Sequence, residues 1–325
     1  MKKIFLFLAA TVLVFACSKI IPGFLSPTLG YTDKTIVCKR GLTFVQSQKI
    51  NFDGSTSPIK FKLLEIRDPN GGKAPAEFFQ TYDVTQFKAG MVFDPKLDTT
   101  VELLNKKRET TKTTPFLFNE STGQFTFNQA SGHLPLGSFA FDLSAVNVHG
   151  SRTLDSAGVI KISDPTADDL FTLNGTATSG FSDATGVATG AKVPLVTCTK
   201  VSTDGARIIL KYVDKNGTPW NPKAGEIIIR GGRPSFTDYT RFHPIEFTDT
   251  AMICDFEVAP FPLAHFVDGT GYDWGFLMYY RIPSQFVSID GFPPTGYSAN
   301  PYVTFQVKLE GTYIVQVKLS DAVHR

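Results

Sequence analysis

The chain has 325 residues, 32 basic and 30 acidic side chains, and a formal charge of +2. At about 150 residues per domain, this length accommodates two cores. The near balance of charge excludes the clustered positive face that a phosphate backbone or anionic membrane surface demands, so no nucleic-acid partner is expected. The 29 phenylalanines, 27 glycines and 20 prolines, beside only two tryptophans, suit many short strands joined by turns.

Lys2 and Lys3 open the chain, residues 4–16 are apolar apart from Thr11, and Val14-Phe15-Ala16-Cys17 closes the run with a small residue before cysteine. The run is shorter than the roughly 20 apolar residues a spanning helix needs and reads as a secretory leader, residues 1–16. Its end resembles the bacterial lipobox. That resemblance implies diacylation of the Cys17 sulfur, cleavage before it and acylation of the new amino terminus; an ordinary leader with an incidental Cys17 is the alternative. Several acyl chains, at about 0.8 kcal/mol per buried CH₂, would make a durable membrane anchor. Lys2 and Lys3 would leave with the leader, so that basic and acidic residues then balance. Residues 17–34, with Pro22, Gly23, Pro27 and Gly30, read as the lipidated cysteine and its tether.

The segment 35–165 reads as the first β-domain. Ile59 to Ile66 begins with period-two alternation and ends in the turn signal Asp68-Pro69-Asn70-Gly71-Gly72. Leu97 to Arg108 is the one helical stretch, with Asp98 or Thr99 as the cap, Glu102 in the first turn and Lys106, Lys107 and Arg108 in the last. Phe116-Leu-Phe118, the turn Asn119–Gly123 and Gln124–Phe127 read as strand, turn and strand, with Phe125 and Phe127 on one face. In 138–147, Phe139, Phe141, Leu143 and Ala145 share a face, and Ala157–Ser163 follows a Gly150 turn. Strands at such spacing indicate an antiparallel sandwich.

This strand order resembles immunoglobulin-like domains, cadherin-like ones among them, in which a Thr-Gly turn precedes one strand and an Asn-x-x-Gly turn joins the last two. The acidic calcium clusters of cadherins are missing, so no metal is carried over. Taken with the phrase from Gly54 to Arg67 and the helix near Leu103, the segment also resembles an uncharacterised family of Bacteroidetes outer-membrane lipoproteins often associated with glycan-uptake systems of the starch-utilisation type. The resemblance implies an all-β protein of two β-sandwich domains behind a lipid tether, a place in the outer membrane on either its periplasmic or its surface face, and a role in holding glycan, with a polysaccharide or an outer-membrane transporter as partner. It supplies no site residues and no cofactor.

Residues 166–192 are rich in Gly, Thr, Ala and Ser and read as a linker or an irregular strand. Residues 193–325 form the second β-rich domain, a sandwich or jelly roll, with strands at 206–213, 225–230, 245–248, 253–258, 276–280, 302–309 and 312–319. The apolar run Ile227–Ile229 suggests burial on both faces, and Glu310-Gly311 suggests a tight hairpin between the last two strands. Cys38, Cys198 and Cys254 have no Cys-x-x-Cys spacing. Cys198 and Cys254 would pair if their strands were neighbours; otherwise they are buried thiols.

No nucleophile elbow, phosphate loop or His-Glu-x-x-His motif occurs among the residues, and none of the five histidines stands in a recognisable motif. Asp168-Asp169 and Asp255-x-Glu257 are adjacent carboxylates that read as solvated faces. No enzymatic activity is therefore expected. A sugar site wants a flat exposed aromatic with polar neighbours, and Trp220, Tyr239, Arg241, Tyr272, Asp273 and Trp274 are the candidate ligand-binding residues, all in loops marked by turn residues. Against this, Trp is highly buried on average, and each could close its own domain end. Three function classes follow: a glycan-binding accessory lipoprotein, a structural or adhesive fimbrillin-like subunit with Lys39-Arg40 as a cleavage site, and an enzyme.

Overall fold

The computed structural model describes residues 24–68, 70–148 and 150–325. The leader, Cys17, the start of the tether and His149 lie outside the described residues. The protein is all-β, with several sheets and, among the described residues, two short α-helices. Its contacts divide it into two units, one running up to Val84 with Thr111–Asp164, the other Thr85–Thr110 with Pro165–Arg325.

The first stretch of chain gives β1 (Thr35–Lys39), β2 (Val45–Gln46), β3 (Lys60–Arg67), β4 (Tyr82–Phe87), β5 (Arg108–Thr113), β6 (Phe116–Asn119), β7 (Gln124–Phe127), β8 (Gly137–Asn147) and β9 (Gly150–Ser163). One sheet has the order β1-β9-β8-β3 and another β2-β7-β6. All pairings in them are antiparallel except β1 with β9, which is parallel. Alternation dictates the packing. Phe139, Phe141, Leu143 and Ala145 of β8 join Phe116, Phe125 and Phe127 of the other sheet in one core, where Phe125 meets the edge of Phe141 at 5.0 Å. The Asn119–Gly123 turn closes with Gly123 N–H donating to Asn119 O at 2.7 Å. Gly123 has φ +67°, and a Cβ there would press on the Ile50 side chain, so glycine is favoured.

One feature breaks the alternation. Asp142, buried in β8, sits where the register shifts in both of its neighbours. Its carboxylate accepts two bonds from Arg67, at 2.6 and 2.8 Å, and one from Ser156 N–H at 2.7 Å. The bulge lets a charge lie among apolar side chains because both carboxylate oxygens are hydrogen-bonded and a guanidinium balances it.

The predicted helix is shorter than its sequence pattern. α1 spans Val101–Lys106, and Thr100, not Asp98 or Thr99, caps it by accepting from Leu103 N–H. Asp98 is taken by Lys107, 2.9 Å away, and by Asp94 N–H, while Arg108 already begins β5. Residues 85–110, α1 included, count with the second unit, which corrects the placing of this helix in the first domain.

The second unit contains α2 (Ala167–Leu170), β10 (Phe171–Ser182), β11 (Ala188–Gly190), β12 (Leu195–Ser202), β13 (Ala206–Val213), β14 (Ile228–Ile229), β15 (Glu246–Phe247), β16 (Met252–Asp255), β17 (Leu277–Arg281), β18 (Val287–Ile289), β19 (Tyr297–Val307), β20 (Gly311–Lys318) and β21 (Ala322–His324). Two five-stranded sheets have the orders β11-β10-β19-β17-β14 and β12-β20-β13-β16-β15. Tyr212 of the second meets Tyr280 of the first edge-on at 5.6 Å, both fully buried.

Of the two readings of 166–192, linker or irregular strand, the structure shows the strand: β10 pairs with β19 from Phe171 to Ser182, with a register shift between Leu173 and Gly175. Three other expectations are decided here. β19 and β20 do not form a hairpin. β20 leaves for the other sheet, antiparallel to β12 and parallel to β13. Gly311 makes this crossing at φ +141°, its N–H on Gly205 O at 2.6 Å and the Ser202 carbonyl 2.7 Å from where a Cβ would stand. Ile228 and Ile229 are exposed because β14 is an edge strand of two residues, and only Ile227 is buried. Cys198 and Cys254 do not pair. β12 and β16 are separated by β20 and β13, about 14 Å at the usual strand spacing, twice the reach of a disulfide. All three described cysteines are free, and burial raises each thiol to about 12.

Candidate functional site

The residues 265–276 between β16 and β17 fold into a tight loop whose two arms pair, with Phe266 N–H on Gly275 O at 3.0 Å and Trp274 N–H on Phe266 O at 2.9 Å. Asp268 organises its tip. Its carboxylate accepts from Thr270 Oγ1 at 2.5 Å, Thr270 N–H at 2.8 Å, Tyr272 N–H at 3.1 Å and the Trp274 indole N–H at 2.9 Å. An aspartate before Gly-Thr-Gly makes such a turn because its short side chain reaches the following amides. These bonds, the Thr270 hydroxyl and the indole foremost, hold the Asp268 carboxyl down to about 2.

The same carboxylate therefore fixes the turn and the angle of the indole ring. The Arg233 guanidinium lies 4.7 Å from the centre of that ring, within cation–π range. Tyr272, well exposed, meets the ring edge at 4.7 Å. Gly232, Arg233, Pro234, Phe266, Asp268 and Trp274 line a cleft of about 370 Å³. Beside it, Asp273 Oδ2 lies 2.9 Å from His265 Nδ1, and this partner lowers the Asp273 carboxyl.

Of the six predicted residues, Tyr272, Asp273 and Trp274 come together on this loop. The other three have different work. Trp220 is not an exposed loop aromatic: it is fully buried, its indole N–H donates to Phe286 O at 2.9 Å, and His324 packs on it edge-on at 5.9 Å. Pro219 bridges back to Val213, which folds the loop onto the core. Tyr239 is also buried. Its hydroxyl lies 2.8 Å from Leu277 O and 3.0 Å from Gly275 O, so it supports the base of the 265–276 loop from within. Arg241 is exposed, donates to Pro95 O at 2.8 Å and lies over Phe93 and Phe242, each 5.6 Å away; it does not line the cleft.

Asp268 and Arg233 were not singled out by the sequence. The Asp-Gly-Thr-Gly turn was a signal for the first; nothing local announces that Arg233 will cover an indole forty-one residues later in the chain.

The adjacent carboxylates serve structure. Asp169 reaches back to Thr166 N–H at 2.7 Å as part of a capping box, and Asp255 takes a bidentate Arg207 at 2.6 and 2.9 Å. Three histidines find carboxylates across space: His243 with Glu257 at 3.3 Å, His265 with Asp273 at 2.9 Å and His324 with Glu226 at 2.7 Å. Among the described residues no three His, Cys, Asp or Glu side chains converge as a metal site. Two further clefts occur in the first unit. One of about 490 Å³ is mostly apolar, bounded by Pro58, Phe61 and Val146; one of about 520 Å³ lies between residues 27–34 and 152–157. Compared with known proteins, the chain matches no family model and no curated protein.

Proposed function

We propose that the protein is a non-catalytic, lipid-anchored envelope protein that holds glycan at the cell surface or in the periplasm, as the lipoprotein family it resembles would. The observation that carries this reading is the 265–276 loop. An indole is fixed in angle by Asp268, a second aromatic ring, Tyr272, stands exposed beside it, Arg233 lies over the indole, and Asp273 sits between the two aromatics in the chain. A sugar ring offers an apolar C–H face and a rim of hydroxyls, which match flat aromatics and neighbouring charged hydrogen-bonding groups respectively. A ring held in place before the ligand arrives loses less entropy on binding.

The test is affinity electrophoresis of the full chain in detergent through gels carrying a panel of polysaccharides, with Trp274→Ala and Tyr272→Ala run alongside. Retardation by one polymer that both variants lose supports the reading. It fails if no polymer retards the protein, or if both variants are retarded like the wild type.

A second reading, a fimbrillin-like structural subunit, draws support from β1. This strand lies at a sheet edge, contributes Ile36 and Cys38 to the core, and ends on Lys39, with Arg40 next. Removing it would open the β9 edge to a strand from another copy. Polymers appearing after cleavage at Arg40 would favour it; monomers alone would exclude it.

A further inference from the structure

The outer face of the β11-β10-β19-β17-β14 sheet carries a group of side chains that the 265–276 loop does not use. On β19 the residues Ala299, Val303, Phe305 and Val307 are buried as core, so Asn300 and Tyr302 point the other way. Register places Ser179 and Ala177 of β10 beside them on one side and Tyr279 of β17 on the other. Arg281 lies next along β17. The Tyr279 and Tyr302 rings meet edge-on at 5.6 Å.

Two guanidiniums close over this face. Arg281 stands 4.2 Å and Arg230 5.3 Å from the centre of the same ring, that of Phe181, and Arg230 is 5.6 Å from the Tyr279 ring. Like charges stacked on one aromatic repel each other unless something negative joins them. Burial, then the Arg230 charge, holds the Arg281 guanidinium below its ordinary value; Asp183 and Tyr279 act the other way. Yet Asp183 accepts from Ser298 Oγ at 2.7 Å, and among the described residues neither arginine forms an ion pair. Arg281 donates Nε to Asn300 Oδ1 at 3.0 Å. The Asn300 amide nitrogen, in a side chain 1% exposed, has no partner, and neither has the buried Nε of Arg230.

Two guanidiniums without an ion pair among the described residues, a buried amide nitrogen without a partner and three aromatic rings thus share one face. We propose that this face binds the anionic group of an acidic sugar, a uronate carboxylate or a sulfate ester, between Arg230 and Arg281, with Asn300 holding Arg281 through its Oδ1 and the Tyr279 and Tyr302 rings against the sugar. Carboxylate and sulfate oxygens both suit the bidentate guanidinium geometry. The choice of a sugar as carrier rests on the glycan reading above. Arg230 and Arg233 are joined by one tight turn, Arg233 N–H on Arg230 O at 3.1 Å, so one loop, 230–234, borders both this face and the Trp274 cleft.

The experiment is calorimetric titration of the full chain in detergent with three oligosaccharide probes of equal length: an oligogalacturonide, a sulfated oligosaccharide and a neutral one. Arg230→Gln, Arg281→Gln and, as a control of equal charge change, Arg207→Gln are titrated beside the wild type, with circular dichroism to verify folding. Binding of an acidic probe that weakens at least tenfold in both Arg230→Gln and Arg281→Gln, remains in Arg207→Gln, and falls with added salt in the wild type is the expected result. The uronate and sulfate arms tell which anion is read. If either variant unfolds, the wild-type preference for acidic over neutral probe and its salt dependence carry the decision. Equal binding of acidic and neutral probes, or unchanged affinity in the folded variants, overturns the proposal while leaving the glycan reading standing. No binding of any probe overturns both.

Discussion

Replacing Trp220 by alanine tests the assignment of the two tryptophans most directly. Its ring is fully buried and its N–H is bonded to Phe286 O at 2.9 Å. A buried tryptophan removes about 150–250 Å² from water, which at about 25 cal/mol per Å² is roughly 4–6 kcal/mol. Alanine recovers part of this, and the Phe286 carbonyl loses its donor, so the net cost is about 4 kcal/mol, inside the usual range for such truncations. For a unit of this size that lowers Tm by about 8–16 °C. Trp274, half-exposed on its loop, should shift Tm by no more than about 2 °C on substitution by alanine. Thermal unfolding followed by circular dichroism measures both. Because the chain has only two tryptophans, each single variant also reports the emission of the other. The Trp220 signal, left in Trp274→Ala, should be blue-shifted and shielded from iodide, and the Trp274 signal accessible. A Trp220→Ala protein as stable as the wild type, or iodide quenching both alike, would refute the placement.

Gly311→Ala should destabilise the second unit by about 1–3 kcal/mol, since φ +141° is closed to L side chains and a Cβ would meet Ser202 O at 2.7 Å; urea titration reads this, and an unchanged midpoint would count against the crossing of β20. Peptide mapping without reductant should return Cys38, Cys198 and Cys254 all as thiols; a linked peptide holding Cys198 and Cys254 would contradict the strand order. The Asp268 carboxyl, low at about 2 through its bonds to Thr270 and the indole, favours the folded loop fully above the unfolded value of about 3.9 and ceases to do so as pH falls through 2. Trp274 emission, isolated in Trp220→Phe, should therefore hold steady from pH 7 to about 4 and change below it, and Asp268→Asn should abolish that step. A transition near neutral pH would show that another group governs the ring.

Local pattern carried much of the first unit. Phe125, Phe127 and the alternate residues of β8 are apolar at period two beside turn-forming residues, and period and turn are properties of neighbouring positions. The loop holding Tyr272, Asp273 and Trp274 was legible for the same reason, because Gly, Asp and Thr at its tip act on amides two to four residues away.

What the sequence by itself determined, then, was the all-β class, the strand alternation, and the turn chemistry that displays Trp274. Only the tertiary structure decided which strands became neighbours. Nothing in Glu310-Gly311 distinguishes a hairpin from a crossing between sheets; the close approach of Ser202 and Gly205 to Gly311 does. Nothing beside Trp220 says whether a loop tryptophan faces water; a carbonyl sixty-six residues away supplies its partner and the core closes around it. The same holds for Arg230 of the 230–234 loop and Arg281 of β17, whose shared ring, Phe181, comes from β10. Hydrogen-bond ladders and burial join residues that are distant in the chain, so the identity of a side chain's partner is set by topology, whereas its local conformation is set by its neighbours.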